Sequence, residues 1–150
     1  MMVETPSGME RRMVVQQLDI WRQARGDDGP MPMKTALEQE FVDVAPSSFV
    51  LEVIDGNASP TFVSVGATIT ELQESDLVGQ SVSAIEPQSL IGQALQSLPI
   101  VLNKKVPATV SGEFEQASGQ KIIYRCILMP LSAASEKVNI ILGAVSFKTE

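Results

Sequence analysis

The 150-residue chain contains no histidine, and that absence excludes more chemistry than any residue present supplies. Without imidazole there is no Ser-His-Asp triad, no Cys-His dyad and no histidine-ligated zinc or haem. A single cysteine, Cys126, rules out an internal disulfide and any multi-cysteine metal site. Aromatic residues make up only 5%, with one tryptophan and one tyrosine. Basic residues are scarce: eleven against eighteen acidic ones, a net charge of −7. No positive field is left to follow a nucleic-acid backbone, and the charge favours solubility and disfavours an anionic membrane. Arg11-Arg12 and Lys104-Lys105 are doublets on a solvated surface. No apolar run approaches the roughly 18 residues that mark a spanning helix. The start of the chain lacks the apolar core of a secretory signal, so a cytoplasmic location is expected. Without an export signal the sequon Asn57-Ala58-Ser59 carries no weight.

What is present is a globular balance, 44% apolar and 19% charged. A chain of this length buries about 68–70% of its unfolded surface on folding and needs no staple. Residues 1–8 read as a disordered, polar start. Residues 9–25 read as a helix, with Val14, Leu18, Trp21 and Arg25 on one stripe of a 3.6-residue period and Met9, Met13 and Ile20 widening it. Gly26 to Pro30 is a stop and turn signal. A short helical stretch over residues 35–44 is predicted to end before Pro46. Then come two strands, Ser48 to Asp55 and Pro60 to Gly66, joined at Gly56-Asn57 as an antiparallel hairpin. Residues 67–86 read as short helices and turns. A longer helix is predicted from Pro87 to about Leu98, ended or kinked by Pro99. Three strands follow, Val106 to Gln116, Lys121 to Leu131 and Val138 to Lys148. Turns at Ala117 to Gln120 and Ser132 to Glu136 join them. This order predicts an α+β fold with an antiparallel sheet. The division expected is residues 1–8, a flanking helix and linker over 9–45, and a core over 46–150.

Strand faces add one inference. Alternation over Lys121 to Leu131 puts Ile122, Tyr124, Cys126 and Leu128 on one face and Ile123, Arg125, Ile127 and Met129 on the other. Phe49, Leu51 and Val53 likewise oppose Val50, Glu52 and Ile54. Both faces are largely apolar, whereas a sheet with one wet face alternates more cleanly. Something must cover the second face. The helix over 9–25, from this chain or a partner copy, is the candidate.

The residues resemble a family of small, single-domain PAS proteins common in alphaproteobacteria. The resemblance rests on several segments in order: Ile20-Trp21-Arg22-Gln23-Ala24-Arg25-Gly26 followed by Met31-Pro32, Ala45-Pro46 leading into Ser48 to Val53, and Phe62 to Thr68. It continues through Leu77-Val78-Gly79, Met129-Pro130-Leu131 and Ile141-Leu142-Gly143-Ala144. It covers residues 14–147. One departure stands out: Thr61-Phe62 occupy the start of the second strand, where the family often carries an arginine. The resemblance implies a five-stranded antiparallel sheet flanked by short helices, a pocket on its inner face, an N-terminal amphipathic helix that dimerises, and a role in sensing and signalling.

Under that fold Leu51, Val53, Phe62, Ser64, Tyr124 and Cys126 would face the pocket from the sheet. Leu90, Ala94 and Leu95 would line it from the long helix. The wall is apolar with few polar groups, as small-molecule sites often are, and equally as an ordinary core is. Met13, Val14, Leu18, Trp21 and Arg22 are the expected dimer or partner interface, tryptophan and arginine being enriched among interface hot spots. The resemblance ties a flavin photoadduct to a cysteine in an Asn-Cys-Arg-like helical motif, and haem to a histidine on the long helix. Neither is present, so flavin and haem are not expected, and a small apolar ligand is the cofactor alternative.

Other constellations reduce to surface chemistry. Ser118-Gly119-Gln120-Lys121 matches Ser-x-x-Lys but lies at a turn, not a helix start. Glu71, Glu74 and Asp76 read as a solvated cluster, Asp27-Asp28 as turn residues, and the seven methionines as scattered packing residues with no metal to hold. No credible nucleophile and base pair is present, so no enzyme is expected. The expectation is a non-catalytic PAS regulatory protein acting through dimerisation and protein–protein contact in bacterial signalling, its output belonging to a partner. The alternative is a sensor with an apolar small molecule in the core.

Overall fold

The structure, a computed structural model, describes residues 9–26, 32, 38–53, 60–116, 118–132 and 140–149. The expected disordered start over 1–8, the turns at residues 27–30 and at Gly56-Asn57, Ala117 itself, and the link over 133–139 lie outside the described residues.

Helix α1 spans Met9–Arg25. It stops at Gly26, whose φ of +67° suits a residue without a Cβ and whose N–H donates back to Arg22 O at 2.9 Å. A 3₁₀ helix runs from Glu38–Ser47 with Pro46 inside its last turn, so that stretch does not end ahead of the proline. Five strands follow in chain order: β1 Ser48–Glu52, β2 Thr61–Val65, β3 Ala108–Glu115, β4 Lys121–Leu131 and β5 Ile140–Thr149. They form one antiparallel sheet in the order β2-β1-β5-β4-β3.

Between β2 and β3 lie short helices: α2 Ala67–Gln73, α3 Leu90–Ala94 and α4 Leu98–Lys104, with 3₁₀ turns at Val82–Ala84 and Leu95–Ser97. The single helix predicted from Pro87 to Leu98 is therefore the shorter α3 and a 3₁₀ turn, and α4 begins where it was expected to end. Ser89 begins the first as its N-cap, its hydroxyl accepting from Gly92 N at 3.1 Å. Pro99 does not end a helix; it sits in the first turn of α4, where its missing N–H costs nothing.

Apolar burial divides between the two faces of the sheet. On the inner face Phe49, Leu51, Phe62, Ile122, Tyr124, Cys126 and Leu128 pack against the short helices through Leu90, Ile91, Ala94, Leu98 and Val101. Gly143 is part of this packing, because the Phe49 ring lies where a Cβ would stand. On the outer face Val50, Ile127, Met129, Leu131, Leu142 and Ala144 pack against Val14 and Trp21 of α1 and Phe41 of the first 3₁₀ helix. The second apolar face is thus covered by helix 9–25 of the same chain.

The two sheet edges differ. Beside β2 runs residues 79–82: Phe62 N donates to Gln80 O, Gly79 N to Phe62 O, and Val82 N to Pro60 O, at 2.8–3.0 Å. The outer edge of β3 has no backbone partner among the described residues.

Candidate functional site

The inner face gathers most of the predicted pocket residues. Leu51, Phe62, Leu90, Ala94, Tyr124 and Cys126 are buried together, with Val53 and Leu95 partly buried against them. Ser64 is not among them; it is exposed. Strict alternation from Phe62 would turn it inward, but the β1–β2 register shifts between Val50 and Leu51. Phe49 pairs with Val65 and Leu51 with Phe62, so two residues of β2 stand where one would. The bulge pairs Ser64 with Val50, a residue of the outer face.

Among the described residues the inner face holds a polar link between sheet and helix. Tyr124 donates its hydroxyl to Gln93 Oε1 of α3 at 2.8 Å. Gly112 of β3 leaves room for that hydroxyl, 3.2 Å from where a Cβ would be. Burial, with the nearby Cys126 adding to it, raises the Tyr124 phenol above its ordinary value. Burial pushes the Cys126 thiol up to about 12. A thiol so raised is neutral near pH 7 and a poor nucleophile. Gln93 is a site residue that sequence reasoning missed. A glutamine in a short helix gives no signal of its own, and only the fold sets it opposite Tyr124.

The outer face is the second candidate surface. Trp21 is 4% exposed and donates Nε1–H to Pro130 O at 2.8 Å. Pro130 lies beyond the end of β3, where β4 is paired on one side only among the described residues and a missing N–H is tolerated. Arg25 stands over the Trp21 ring, 5.4 Å from its centroid. Val14 is buried too, Met13 and Leu18 are half-buried, and Arg22 is exposed. Of the five expected interface residues, Trp21 and Val14 therefore fasten α1 to its own sheet, Met13 and Leu18 pack against the same cluster but stay partly accessible, and Arg22 is exposed. Gln17, also missed, is 3% exposed beside them, and its Oε1 has no hydrogen-bond partner among the described residues. Between α1 and β3 runs a groove of about 320 Å³ lined by Val14, Val15, Leu18, Thr109, Val110, Ser111 and Arg125. The turn at Ser118 to Lys121 is a shallow surface feature with Ser118 exposed, consistent with a polar turn.

A family profile described as "PAS domain" matches residues 9–146. The chain belongs to the PAS family. Among solved structures, a light-oxygen-voltage domain described with a flavin analogue is similar at 12% identity and a TM-score of 0.55, covering 77% of this chain and 86% of that one. The dark structure of the Aureochrome1 light-oxygen-voltage domain has 12% identity and a TM-score of 0.53, covering 73% of this chain and 80% of that one. The corresponding domain of the blue-light activated histidine kinase of Erythrobacter litoralis has 13% identity and a TM-score of 0.50, covering 69% and 96%. No curated protein matches the chain. At these identities the likeness is one of fold.

These neighbours correct one expectation. Flavin was not expected because the chain lacks an Asn-Cys-Arg-like motif, yet it shares its fold with domains of which one is described with a flavin analogue. The missing motif concerns the thiol of an adduct; housing a ring is a property of the interior. In this PAS domain that interior offers apolar contacts from Leu51, Phe62 and Leu90 and polar ones from Gln93 and Tyr124. The Tyr124–Gln93 bond joins sheet to helix on this face.

Proposed function

We propose that this PAS-domain protein is a non-catalytic regulator in bacterial signalling that works through self-association and contact with a partner protein. The observation that carries this reading is the division of labour on α1. Val14 and Trp21 lock the helix to the sheet, which leaves Met13, Val15, Leu18 and Arg22 as a mixed apolar and basic surface for a partner. In this reading residues 9–45 are the signalling flank and residues 46–150 the sensory core. Because Trp21 spans from helix to strand, a change in the sheet reaches α1 directly. Native mass spectrometry of the full chain tests the proposal. A dimer carrying no added mass is the expected result, and a chain that stays monomeric at high micromolar concentration overturns it.

The Tyr124–Gln93 pair favours a second reading, a small-molecule sensor whose ligand breaks that bond. A non-protein mass or absorbance that copurifies, and is lost on Ala94→Phe with the fold retained, is its signature. Purified protein free of any such species counts against it.

A further inference from the structure

The outer edge of β3 is eight residues long, carries no proline and pairs with nothing among the described residues, although the opposite edge of the sheet is closed by residues 79–82. Such an edge is a template for another strand unless something blunts it. Beside it, Arg125 is half-buried on β4, directly opposite Ser111 of β3, and makes no ion pair or hydrogen bond among the described residues. Glu113 on the same face of β3 is exposed and equally unpaired.

We propose that β3 is the seam of a homodimer, in which two copies pair their β3 edges antiparallel about a two-fold axis at Gly112 and exchange Arg125–Glu113 ion pairs. This deepens the self-association reading above and rests on it. The register follows from the side chains. A two-fold axis perpendicular to the sheet keeps inward residues opposite inward ones, so it passes through a residue. Centring it on Glu113 sets two carboxylates face to face, which is unfavourable. Centring it on Ser111 places Ala108 opposite Phe114 and aims the two Arg125 side chains toward each other. Centring it on Gly112 sets Val110 opposite the partner's Phe114 twice, an aromatic and β-branched pairing that stabilises sheets. It also sets Ser111 opposite the partner's Glu113. Arg125, Ser111 and the partner's Glu113 then lie in one row. Their outer members are two strand spacings apart, about 9–10 Å, a gap that arginine and glutamate side chains close over the small serine.

The same axis leaves both α1 helices on one side of the joined sheet. Each groove between α1 and β3 then opens on the seam, and Val15, 50% exposed in the single chain, faces the partner across it. Glu113 and Glu115, which would otherwise blunt the edge, instead select the register.

Sedimentation equilibrium on the full chain tests the seam, with Arg125→Glu, Glu113→Arg and the two combined. Each single variant is expected to self-associate at least about tenfold more weakly, and the combined exchange to restore the dimer. Circular dichroism on each variant confirms that the fold persists. Cysteines report the register: Thr109→Cys with Glu115→Cys cross-links the dimer on oxidation without touching the ion pair, and Ser111→Cys alone does not. Cys126 is buried and does not compete. A wild-type monomer overturns both the seam and the self-association reading. A dimer indifferent to Arg125→Glu, or one that cross-links through Ser111→Cys alone, overturns this seam and leaves that reading standing.

Discussion

Cys126 shows what burial does to a single group. Its thiol is raised from an ordinary 9.0 to about 12 by loss of solvent, so the folded chain holds it neutral. The unfolded chain releases the proton first as pH rises. The stability this group contributes is therefore complete below about pH 9 and is lost as pH climbs toward about 12, at about 1.4 kcal/mol per pH unit. Urea unfolding at several pH values between those limits should show wild type losing more stability than Cys126→Ala. Parallel losses would mean that the thiol is not the linked group. Tyr124, on the same face two residues earlier, is shifted in the same direction and shares the alkaline loss in both proteins. The inward direction of both residues was legible from period-two alternation in β4, because the strand is regular throughout its pairing with β5. Ser64 was misplaced by the same rule, because a bulge adds a residue and reverses the face.

Among the elements, the helices between β2 and β3 rest on local capping more than on length. α3 is five residues, far too short to persist alone, and is fastened by Ser89 at its start and by Gln73 Oε1 accepting from Ile91 N at 3.2 Å. Ser89→Ala should lower stability by about 1 kcal/mol, read as a shift of the denaturation midpoint with an unchanged slope. A loss within error would assign the hold on α3 to packing of Leu90 and Ile91 instead. Pro87 drew the prediction toward one long helix. The chain instead changes to 3₁₀ geometry at Leu95 and restarts at Leu98, where Pro99 fits the first turn. Propensity cannot separate a proline that ends a helix from one that begins the next, since both lie at a boundary.

At the scale of the molecule, two apolar layers share one sheet, and α1 joins the second layer through Trp21. The chain's one tryptophan is thus a reporter of α1 docking. If helix and sheet form one cooperative unit, tryptophan fluorescence and far-ultraviolet circular dichroism should trace coincident urea transitions. An earlier fluorescence transition would show that α1 leaves the sheet before the sheet unfolds, as a detachable signalling element must. Trp21→Phe keeps most of the buried ring and removes the bond to Pro130, and should cost about 1 kcal/mol.

The order of elements, the apolar second face and the helix that answers it were determined by sequence alone, because hydrophobic periodicity and turn residues act within a few positions of one another. The family resemblance carried that order to a PAS fold. Tertiary structure decided the rest. It docked helix 9–25 on its own sheet, paired Tyr124 with Gln93 across 31 positions, and left Arg125 and Glu113 without partners among the described residues, beside an edge that pairs with none of them. Those are contacts between segments far apart in the chain. No periodicity encodes them, since burial of both faces of one sheet settles which distant residues meet.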